Sequence, residues 1–445
     1  MPEQIKEKSI INGFRYFGYE PFDTNNQTYV KPNGTNQNVY MPFEYTNWWD
    51  EHLSWHDNCY LHSGLNPGKA ERISGPDAKK VLMTFCTCSL ENFPVGKGRH
   101  TCIVREDGIL LANGVIQHTS ENGYITHGLQ GYADSVLQKA KSDGTPYDAA
   151  TEDYSDRLFF HQLAGPRSLE VVEAATHEDL HDIKFMQFRE TSIKGKQVLV
   201  LRMGMAGTLA YEVHGNIEDS IEVYNALWEV GQHYNIRKLG RHAYRNAHTE
   251  GGFAQKTVHF PSPTYTPLKL TGSLGPDINL RYRNPVEIGF GNAIKFDHEF
   301  IGRAALEKEK AAPKRLIVTL IWNHEDVLDV LRSQFEDEVP YQQIELVDDL
   351  SMVYGSLEDH ADKVLVNSEL VGVTSGRMFS PKYRKMISIA SINTQFTEPG
   401  TEVTVVWGDP GRRQKEIRCT VAEYPIISEN RNEKRGVEDI PHPKN

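Results

Sequence analysis

Four side chains that can bind a polar ligand or move a proton lie between residues 242 and 250. They are His242, Tyr244, His248 and Glu250, in the segment GRHAYRNAHTEGGF. A phenol and a carboxylate in one segment indicate general acid–base chemistry or recognition of paired donors. No cysteine lies near the histidines and their spacing matches no zinc pattern, so we predict no metal site. The sequence leaves open that the tyrosine only packs and that the histidines lie on the surface.

A second carboxylate, Glu212, lies on a predicted strand. In LAYEVHG, apolar and polar side chains alternate with the two-residue period of a half-buried strand. Glu212 and His214 therefore share a face that points away from Leu209 and Val213. Glu212 is either a solvated surface residue or a ligand-binding group, and the pattern alone does not separate these interpretations.

Two short motifs predict the elements that position these residues. ISGPDA (73–78) and LAGP (163–166) both place Gly-Pro between a strand and a helix. The repeated device indicates two related α+β units. From Pro313 onward the pattern changes to strands such as RLIVTLIW, which predicts a C-terminal β-barrel or sandwich.

These patterns divide the chain into α+β and β-rich parts. We predict a discontinuous first α+β domain (1–55 plus 155–255), a second α+β domain (56–154), a connecting insertion (256–312), a β-rich C-terminal domain (313–427) and a polar tail (428–445). Residues 1–38, with polar NNQ and NGTNQN tracts, are predicted to form an irregular arm, and the tail is predicted to be frayed.

The composition argues against several classes of protein. The 48 basic and 60 acidic residues give a net charge of −12, which argues against a nucleic-acid partner or an anionic membrane surface. No run of about 18 apolar residues is present, so no membrane-spanning helix is expected. The N-terminal sequence lacks an apolar signal core, and five sparse cysteines are typical of reduced thiols. We therefore expect a cytoplasmic protein.

Taken in order, the motifs resemble one family. ISGPDA, LAGP, GTLAYE, GRHAYRNAHTEGG, FDHEFIGRAALE and GVTSGRMFSP resemble the glycine-cleavage T-protein (aminomethyltransferase) family of tetrahydrofolate enzymes. The resemblance spans residues 35 to 425 and is strongest to tetrahydrofolate-dependent aryl O-demethylases of the vanillate, syringate or 3-O-methylgallate type. It implies an α+β fold: a three-domain cloverleaf with ferredoxin-like α+β units and a C-terminal β-barrel or sandwich domain, around a central hole that holds the folate.

The resemblance also implies roles for individual residues. Glu212 matches the carboxylate that grips the pterin, whose amino group and ring N–H present two donors side by side. Tyr244 matches the demethylase tyrosine beside the methoxy oxygen, and Tyr40 matches a tyrosine that lines the substrate pocket. Phe253 stands where the demethylases carry a tryptophan, and Glu250 is also expected beside the cofactor.

Three positions depart from the family pattern. Asn66 replaces a pocket histidine and His127 replaces an arginine that would hold a substrate carboxylate, so both are expected to contact a neutral or differently held substrate. Asn113 replaces the aspartate that T-proteins place near the folate, which weakens an aminomethyltransferase interpretation. His62, His118 and His127 are candidate replacement donors.

The resulting hypothesis is a tetrahydrofolate-dependent methyltransferase, an O-demethylase. It moves a methyl group from a methoxylated aromatic compound to folate N5, giving 5-methyltetrahydrofolate and a phenol. Phenol has a pKa of about 10, as tyrosine does, so Tyr244 is suited to act as the general acid. Open alternatives are demethylation of a sulfonium or quaternary ammonium donor (dimethylsulfoniopropionate- or betaine-like), aminomethyl transfer, and a non-catalytic folate-binding protein. We expect small-molecule partners only, no membrane, and a monomer or homodimer.

Overall fold

A computed structural model describes residues 10–11, 14–16, 28–30, 39–63, 70–155, 157–256, 258–264, 269–346, 358–428 and 431–440, with side chains from residue 42 onward. Within this part of the chain the α-helices are α1 (Trp48–Asp57), α2 (Ala78–Met83), α3 (Tyr132–Ser142), α4 (Ser168–Thr176), α5 (Ser220–Gly231), α6 (Arg241–Gly251), α7 (Arg303–Ala311) and α8 (His324–Arg332).

The strands are numbered in chain order. They are β1 (Ile10–Ile11), β2 (Phe14–Tyr16), β3 (Thr28–Val30), β4 (Val39–Glu44), β5 (Tyr60–Ser63), β6 (Ala70–Ser74), β7 (Lys97–Val104), β8 (Leu110–Ser120), β9 (Gly123–His127), β10 (Ala150–Asp153), β11 (Leu158–Ala164), β12 (Phe188–Ile193), β13 (Lys196–Leu201), β14 (Ala210–Asn216), β15 (Arg237–Lys238), β16 (Lys269–Thr271), β17 (Arg315–Trp322), β18 (Glu358–His360), β19 (Asp362–Val366), β20 (Glu369–Ser380), β21 (Lys385–Asn393), β22 (Glu402–Trp407) and β23 (Lys415–Ala422).

The sheet that carries Glu212 has six strands in the order β12-β13-β14-β11-β5-β15. Leu209 and Val213 enter the apolar core that this sheet shares with α4 and α5. Glu212 lies on the opposite face, as the alternation predicts. Strand β5 pairs with β11, so the first unit extends to Ser63 and the predicted boundary at residue 55 falls too early.

The second α+β sheet has the order β10-β6-β9-β8-β7. It shares one local device with the first sheet: Gly75 and Gly165 adopt φ values of +125° and +131°. A Cβ at either position would lie 2.5 Å from a backbone carbonyl oxygen, that of Asp148 or Asn58 respectively. The same close approach explains why glycine precedes proline at both junctions, and it supports two related units.

The C-terminal strands close into a barrel in the order β17-β21-β20-β19-β22-β23. Its interior is filled by apolar side chains that include Trp322, Val364, Ile392 and Trp407. Closure pairs every strand on both sides and leaves no open edge. Of the two predicted architectures, the barrel is therefore the one that forms.

The predicted irregular arm and the connecting insertion both contain regular structure. Strands β1 to β4 form a sheet in the order β1-β2-β4-β3, and the rest of the predicted arm lies outside the described residues. In the connecting insertion β16 pairs in parallel with β18, and Phe260 and Leu306 share a core with Cys102 of the second unit. In the part of the chain that the structure describes, no helix is both long and apolar enough for a bilayer crossing.

Residues 431–440 form a strap that is docked on the first unit. The buried Arg202 guanidinium donates to Asn432 Oδ1 at 3.0 Å and to the carbonyl oxygens of Asn432 and Arg435 at 2.9 and 2.7 Å. Ile440 lies in the core of the first unit. The expectation of a frayed tail is wrong for these residues, because a buried guanidinium needs acceptors and the strap supplies them.

We expect Asn432→Ala to lower the free energy of unfolding by roughly 1–3 kcal/mol, since it leaves a buried Arg202 donor without its acceptor. Urea unfolding followed by circular dichroism measures this. Lys434→Ala, an exposed change in the same strap, is the control. Equal midpoints for the two variants would contradict the role assigned to Asn432.

Candidate active site

Helix α6 carries Tyr244 and is buried although its sequence is polar. It begins after Gly240, where a Cβ would lie 2.2 Å from the Phe43 carbonyl oxygen, and it ends at Gly252 with φ +70°. Burying polar side chains costs free energy unless they find partners. A buried polar helix between the first unit and the barrel is therefore a candidate functional site.

Glu212, 1% exposed, presents both carboxyl oxygens to hydrogen-bond donors. Oε1 accepts from Gln162 Nε2 at 3.0 Å, and Oε2 lies 3.2 Å from His214 Nε2. Burial raises the pKa of Glu212 well above its usual range, and the hydrogen bond from Gln162 offsets only part of this. A carboxylate accepts about four hydrogen bonds, so a lone-pair position stays open on each oxygen.

Gln162 is held by the strands on both sides of β11. It lies opposite Glu212 on β14 and opposite His62 on β5. Its Oε1 accepts from the Tyr60 hydroxyl at 2.9 Å and lies 3.1 Å from His62 Nε2. His62 Nδ1 has no partner among the described residues, which favours the tautomer with hydrogen on Nε2. Two donors on Oε1 turn the amide nitrogen toward Glu212.

The Tyr244 side chain is 1% exposed, and its hydroxyl makes no hydrogen bond within the described residues. Its ring lies edge-on to His62 at 5.2 Å and to His248 at 4.7 Å. Burial raises the pKa of Tyr244 above its usual value, the Arg241 charge opposes this and the Glu212 charge adds to it. Tyr244 therefore keeps its proton at neutral pH, and a buried phenol without an acceptor is suited to donate to a ligand oxygen.

The structure brings Glu212 and Tyr244 into one buried region. The Tyr244 ring contacts His62, His62 bonds Gln162, and Gln162 bonds Glu212. The charge of Glu212 also acts on Tyr244 directly. The two residues thus belong to one connected buried network, while their roles stay predictions.

Phe253 and Asn113 both contact His100. The amide nitrogen of Asn113 lies 3.2 Å from His100 Nε2, and the His100 ring lies 5.9 Å from Phe253 and 4.6 Å from Phe290. Burial lowers the pKa of His100 to about 4, so this imidazole is neutral at pH 7. His248 lies between these aromatic rings and Tyr244. Its ring centroid is 6.1 Å from that of Phe253 and 4.7 Å from that of Tyr244.

His127 belongs to the polar network around Glu212. Its Nε2 lies 3.4 Å from Gln117 Oε1, and its ring lies 5.2 Å from that of His214. Burial lowers the pKa of His127 to about 3, so this histidine does not supply the positive charge of an arginine. Asn66 lies outside the described residues, and Tyr40 is described only as backbone in β4.

Both oxygens of the Glu250 carboxylate contact side chains outside the Glu212 network. Oε1 lies 2.9 Å from His52 Nε2 and accepts from the Ser380 hydroxyl, and Oε2 lies 2.8 Å from His56 Nε2. Burial would raise the pKa of Glu250, but the charges and hydrogen bonds of the two histidines hold it well below its usual range. The expected cofactor contact is not supported, because both oxygens already join α1, α6 and the end of β20.

We expect Glu250→Gln to lower the free energy of unfolding at pH 7 by roughly 3–5 kcal/mol, since it breaks a buried charged cluster. The depressed pKa gives stabilisation that is present above the unfolded-state pKa of about 4.3 and is lost as pH falls through the folded-state value. Urea unfolding is therefore expected to show a smaller stability difference between the variant and the wild type at pH 3.5 than at pH 7. The exposed Glu416→Gln is the control, and a variant as stable as the wild type at pH 7 would contradict this role.

Of the candidate replacement donors, His62 contacts Tyr244 and His127 joins the Glu212 network, whereas His118 does not reach the site. His118 bonds the Phe93 carbonyl at 2.6 Å and lies in the second unit. Gln162 was missed altogether, because its role depends on which strands flank β11. The one available signal for His214 was its shared strand face with Glu212.

Comparison with known proteins identifies relatives along nearly the whole chain. The GCVT N-terminal domain model matches residues 33–271. Sesamin methylene transferase of Sinomonas sp. is 39% identical over 432 residues, covering 91% of this chain and 94% of the relative. Syringate O-demethylase of Sphingobium sp. is 29% identical over 441 residues, covering 89% and 92%.

A solved structure shares the fold. Aminomethyltransferase T of the glycine cleavage system from Bartonella henselae superposes with a TM-score of 0.63 at 16% identity, covering 91% of this chain and 95% of that chain. The T-protein fold expected from the sequence is thereby confirmed. Because the family model covers more than half of the residues, and one relative is 39% identical over 91% of the chain, this protein belongs to the GCVT family.

Proposed function

We propose that this protein is a tetrahydrofolate-dependent O-demethylase that moves a methyl group from a methoxylated aromatic compound to folate N5. The products are 5-methyltetrahydrofolate and a phenol. The observation that carries the proposal is the buried Tyr244 hydroxyl, which has no described acceptor and lies in the same region as the Glu212 carboxyl. The Tyr244 hydroxyl is suited to protonate a leaving oxygen, and the Glu212 carboxyl is suited to accept hydrogen bonds from a pterin.

The donors and acceptors of the site fit a reduced pterin. Glu212 has a lone-pair position open on each oxygen, which matches two adjacent N–H donors. Phe253 and Phe290, with ring centroids 5.5 Å apart, offer apolar surface to a flat ring. When bound, tetrahydrofolate supplies the nitrogen that accepts the one-carbon group. Membership of a folate-dependent family supports the same cofactor.

Tyr244 holds the proton that the departing phenolate needs. Burial keeps the Tyr244 hydroxyl protonated at neutral pH, and a hydrogen bond to the ether oxygen lets the proton pass as the carbon–oxygen bond breaks. The Arg241 guanidinium lies 5.6 Å from the Tyr244 ring centroid, where its charge stabilises the tyrosinate that forms. Tyr244 regains a proton before the next turnover.

Methylene transfer from a methylenedioxy aromatic compound is the second candidate. It is favoured by the relative at 39% identity whose name is sesamin methylene transferase. The neutral His127, standing where the demethylases carry an arginine, also suits a substrate without a carboxylate. Two carbon–oxygen bonds would break and two carbon–nitrogen bonds form, giving a catechol and 5,10-methylenetetrahydrofolate with no change of oxidation state.

The test is anaerobic incubation of the protein with tetrahydrofolate and separate donors, followed by mass spectrometry of the folate. The donors are acidic and neutral methoxyaromatics, methylenedioxybenzenes, dimethylsulfoniopropionate and betaine. Formation of 5-methyltetrahydrofolate from a methoxyaromatic supports demethylation, and 5,10-methylenetetrahydrofolate from a methylenedioxybenzene selects the second candidate. Product from the sulfonium or ammonium donors alone refutes both.

We also propose a cytoplasmic location and small-molecule partners only. The cysteines are all unpaired and buried: Cys59, Cys86, Cys88, Cys102 and Cys419. Reduced thiols are typical of a compartment without oxidising enzymes, which supports the location. A monomer or a homodimer stays our prediction for the oligomeric state.

A further inference from the structure

We propose that Gln162 and His214 are positioning residues that fix the Glu212 carboxyl for folate, an inference that rests on the function proposed above. Each residue occupies one lone-pair position, on a different carboxyl oxygen. The two positions that stay open are then also on different oxygens, as two adjacent pterin donors require. Without these residues the carboxyl group would be free to rotate about its last bond.

The orientation of Gln162 is set by the strand on its far side. Tyr60 and His62, both on β5, place their donors on Gln162 Oε1. A flipped amide would turn its NH2 group toward those two donors and its carbonyl oxygen toward the Glu212 oxygen. With Glu212 ionised and with the Tyr60 and His62 hydrogens directed at Gln162, that arrangement loses three hydrogen bonds, so the observed orientation is preferred.

The orientation of His214 is set by the second α+β unit. Gln117 on β8 brings its amide nitrogen to 3.4 Å from His214 Nδ1, and its oxygen to 3.4 Å from His127 Nε2. Since Nδ1 accepts from an amide, the His214 hydrogen lies on Nε2 and is directed at Glu212. Both units of the fold therefore take part in preparing one carboxyl group.

The surroundings of Glu212 predict that folate binding depends on pH. The titratable groups that face it are His214 on β14, Tyr60 and His62 on β5, Tyr244 on α6 and His127 on β9, with the amides of Gln162 and Gln117 between them. Burial keeps all five titratable groups neutral at pH 7, and the Arg241 guanidinium lies over the Tyr244 ring, 5.6 Å from its centroid. Burial raises the pKa of the Glu212 carboxyl, and a pair of pterin donors favours its ionised form. Affinity is expected to rise with pH until the carboxyl ionises unaided.

The test is the tetrahydrofolate dissociation constant measured by anaerobic calorimetry between pH 6 and pH 9. Gln162→Met keeps the side-chain volume and removes both polar atoms. We expect the dissociation constant at pH 7 to rise roughly tenfold, because one hydrogen bond to a buried charge is lost. The midpoint of the pH profile is expected to move to higher pH, since the ionised carboxyl loses a donor. A packing defect alone would weaken binding without moving the midpoint.

Matched variants separate the possible outcomes. His214→Gln keeps a donor and is expected to stay within about threefold of the wild type, whereas His214→Phe is expected to match Gln162→Met. Gln138→Met, an exposed change on α3, is the control. If Gln162→Met misfolds, Gln162→Glu keeps the shape and puts a second carboxyl against Glu212, which also moves the midpoint upward. Wild-type affinity and midpoint in these variants would overturn the positioning role, whereas a wild-type protein that binds no tetrahydrofolate would refute the proposed function itself.

Discussion

Replacing Tyr244 with phenylalanine is expected to lower turnover of an aryl ether by roughly 10²- to 10⁴-fold. The substitution removes the proton donor and leaves the ring contacts with His62 and His248 in place. The affinity for tetrahydrofolate is expected to be unchanged, because Glu212 and its donors do not bond the hydroxyl. Single-turnover product formation, measured beside calorimetric affinity, gives both quantities.

Tyr211→Phe is a matched control for this experiment. Tyr211 is fully buried, and its hydroxyl also has no described partner, but it lies in the apolar core on the other face of β14. The control is expected to keep full turnover. If Tyr244→Phe also keeps full turnover on the ether, Tyr244 is not the acid. A sulfonium donor leaves as a neutral group and needs no proton, so turnover of that donor alone by Tyr244→Phe would favour the alternative chemistry.

Replacing Glu212 with alanine is expected to raise the dissociation constant of tetrahydrofolate by at least about tenfold, because two buried pterin donors lose their acceptor. Glu212→Gln tests the charge separately. A glutamine offers one acceptor and places an NH2 group against a second donor, so its affinity is expected to fall nearly as far. Calorimetry at pH 8 measures both variants.

A stability measurement distinguishes a loss of tetrahydrofolate affinity in the folded Glu212→Ala protein from unfolding of that protein. Glu212→Ala leaves the buried Gln162 and His214 donors without their acceptor, so we expect the free energy of unfolding to fall by roughly 1–3 kcal/mol while the protein stays folded at the assay temperature. A variant that is unfolded at that temperature would have lost folate binding through the fold. Unchanged affinity in a folded Glu212→Ala protein would end the assignment of Glu212 to the pterin.

Local patterns were enough to predict some features of the site. The alternation in LAYEVHG predicted the face of Glu212, because strand geometry leaves a side chain only two directions. The Gly-Pro junctions at residues 75 and 165 predicted two related units, since both rest on a backbone approach that only glycine allows. These features depend on a few consecutive residues, which a single sequence displays directly.

The remaining features depend on strand order and on contacts distant in sequence. Gln162 gains its role because β11 lies between β5 and β14, an order that no local pattern contains. Glu250 was expected beside the cofactor. It is instead turned toward His52 and His56, whose positions nearly two hundred residues earlier hide their proximity.

The strap has a consequence for biosynthesis. Arg202 is made long before Asn432 and Arg435, which supply its acceptors, and the apolar core of the first unit receives Ile440 last of all. A nascent chain on the ribosome therefore holds an incomplete first unit until residues 431–440 have been made. We expect a chain truncated after the barrel to be less stable, since its Arg202 guanidinium lacks the acceptors that Asn432 and Arg435 supply.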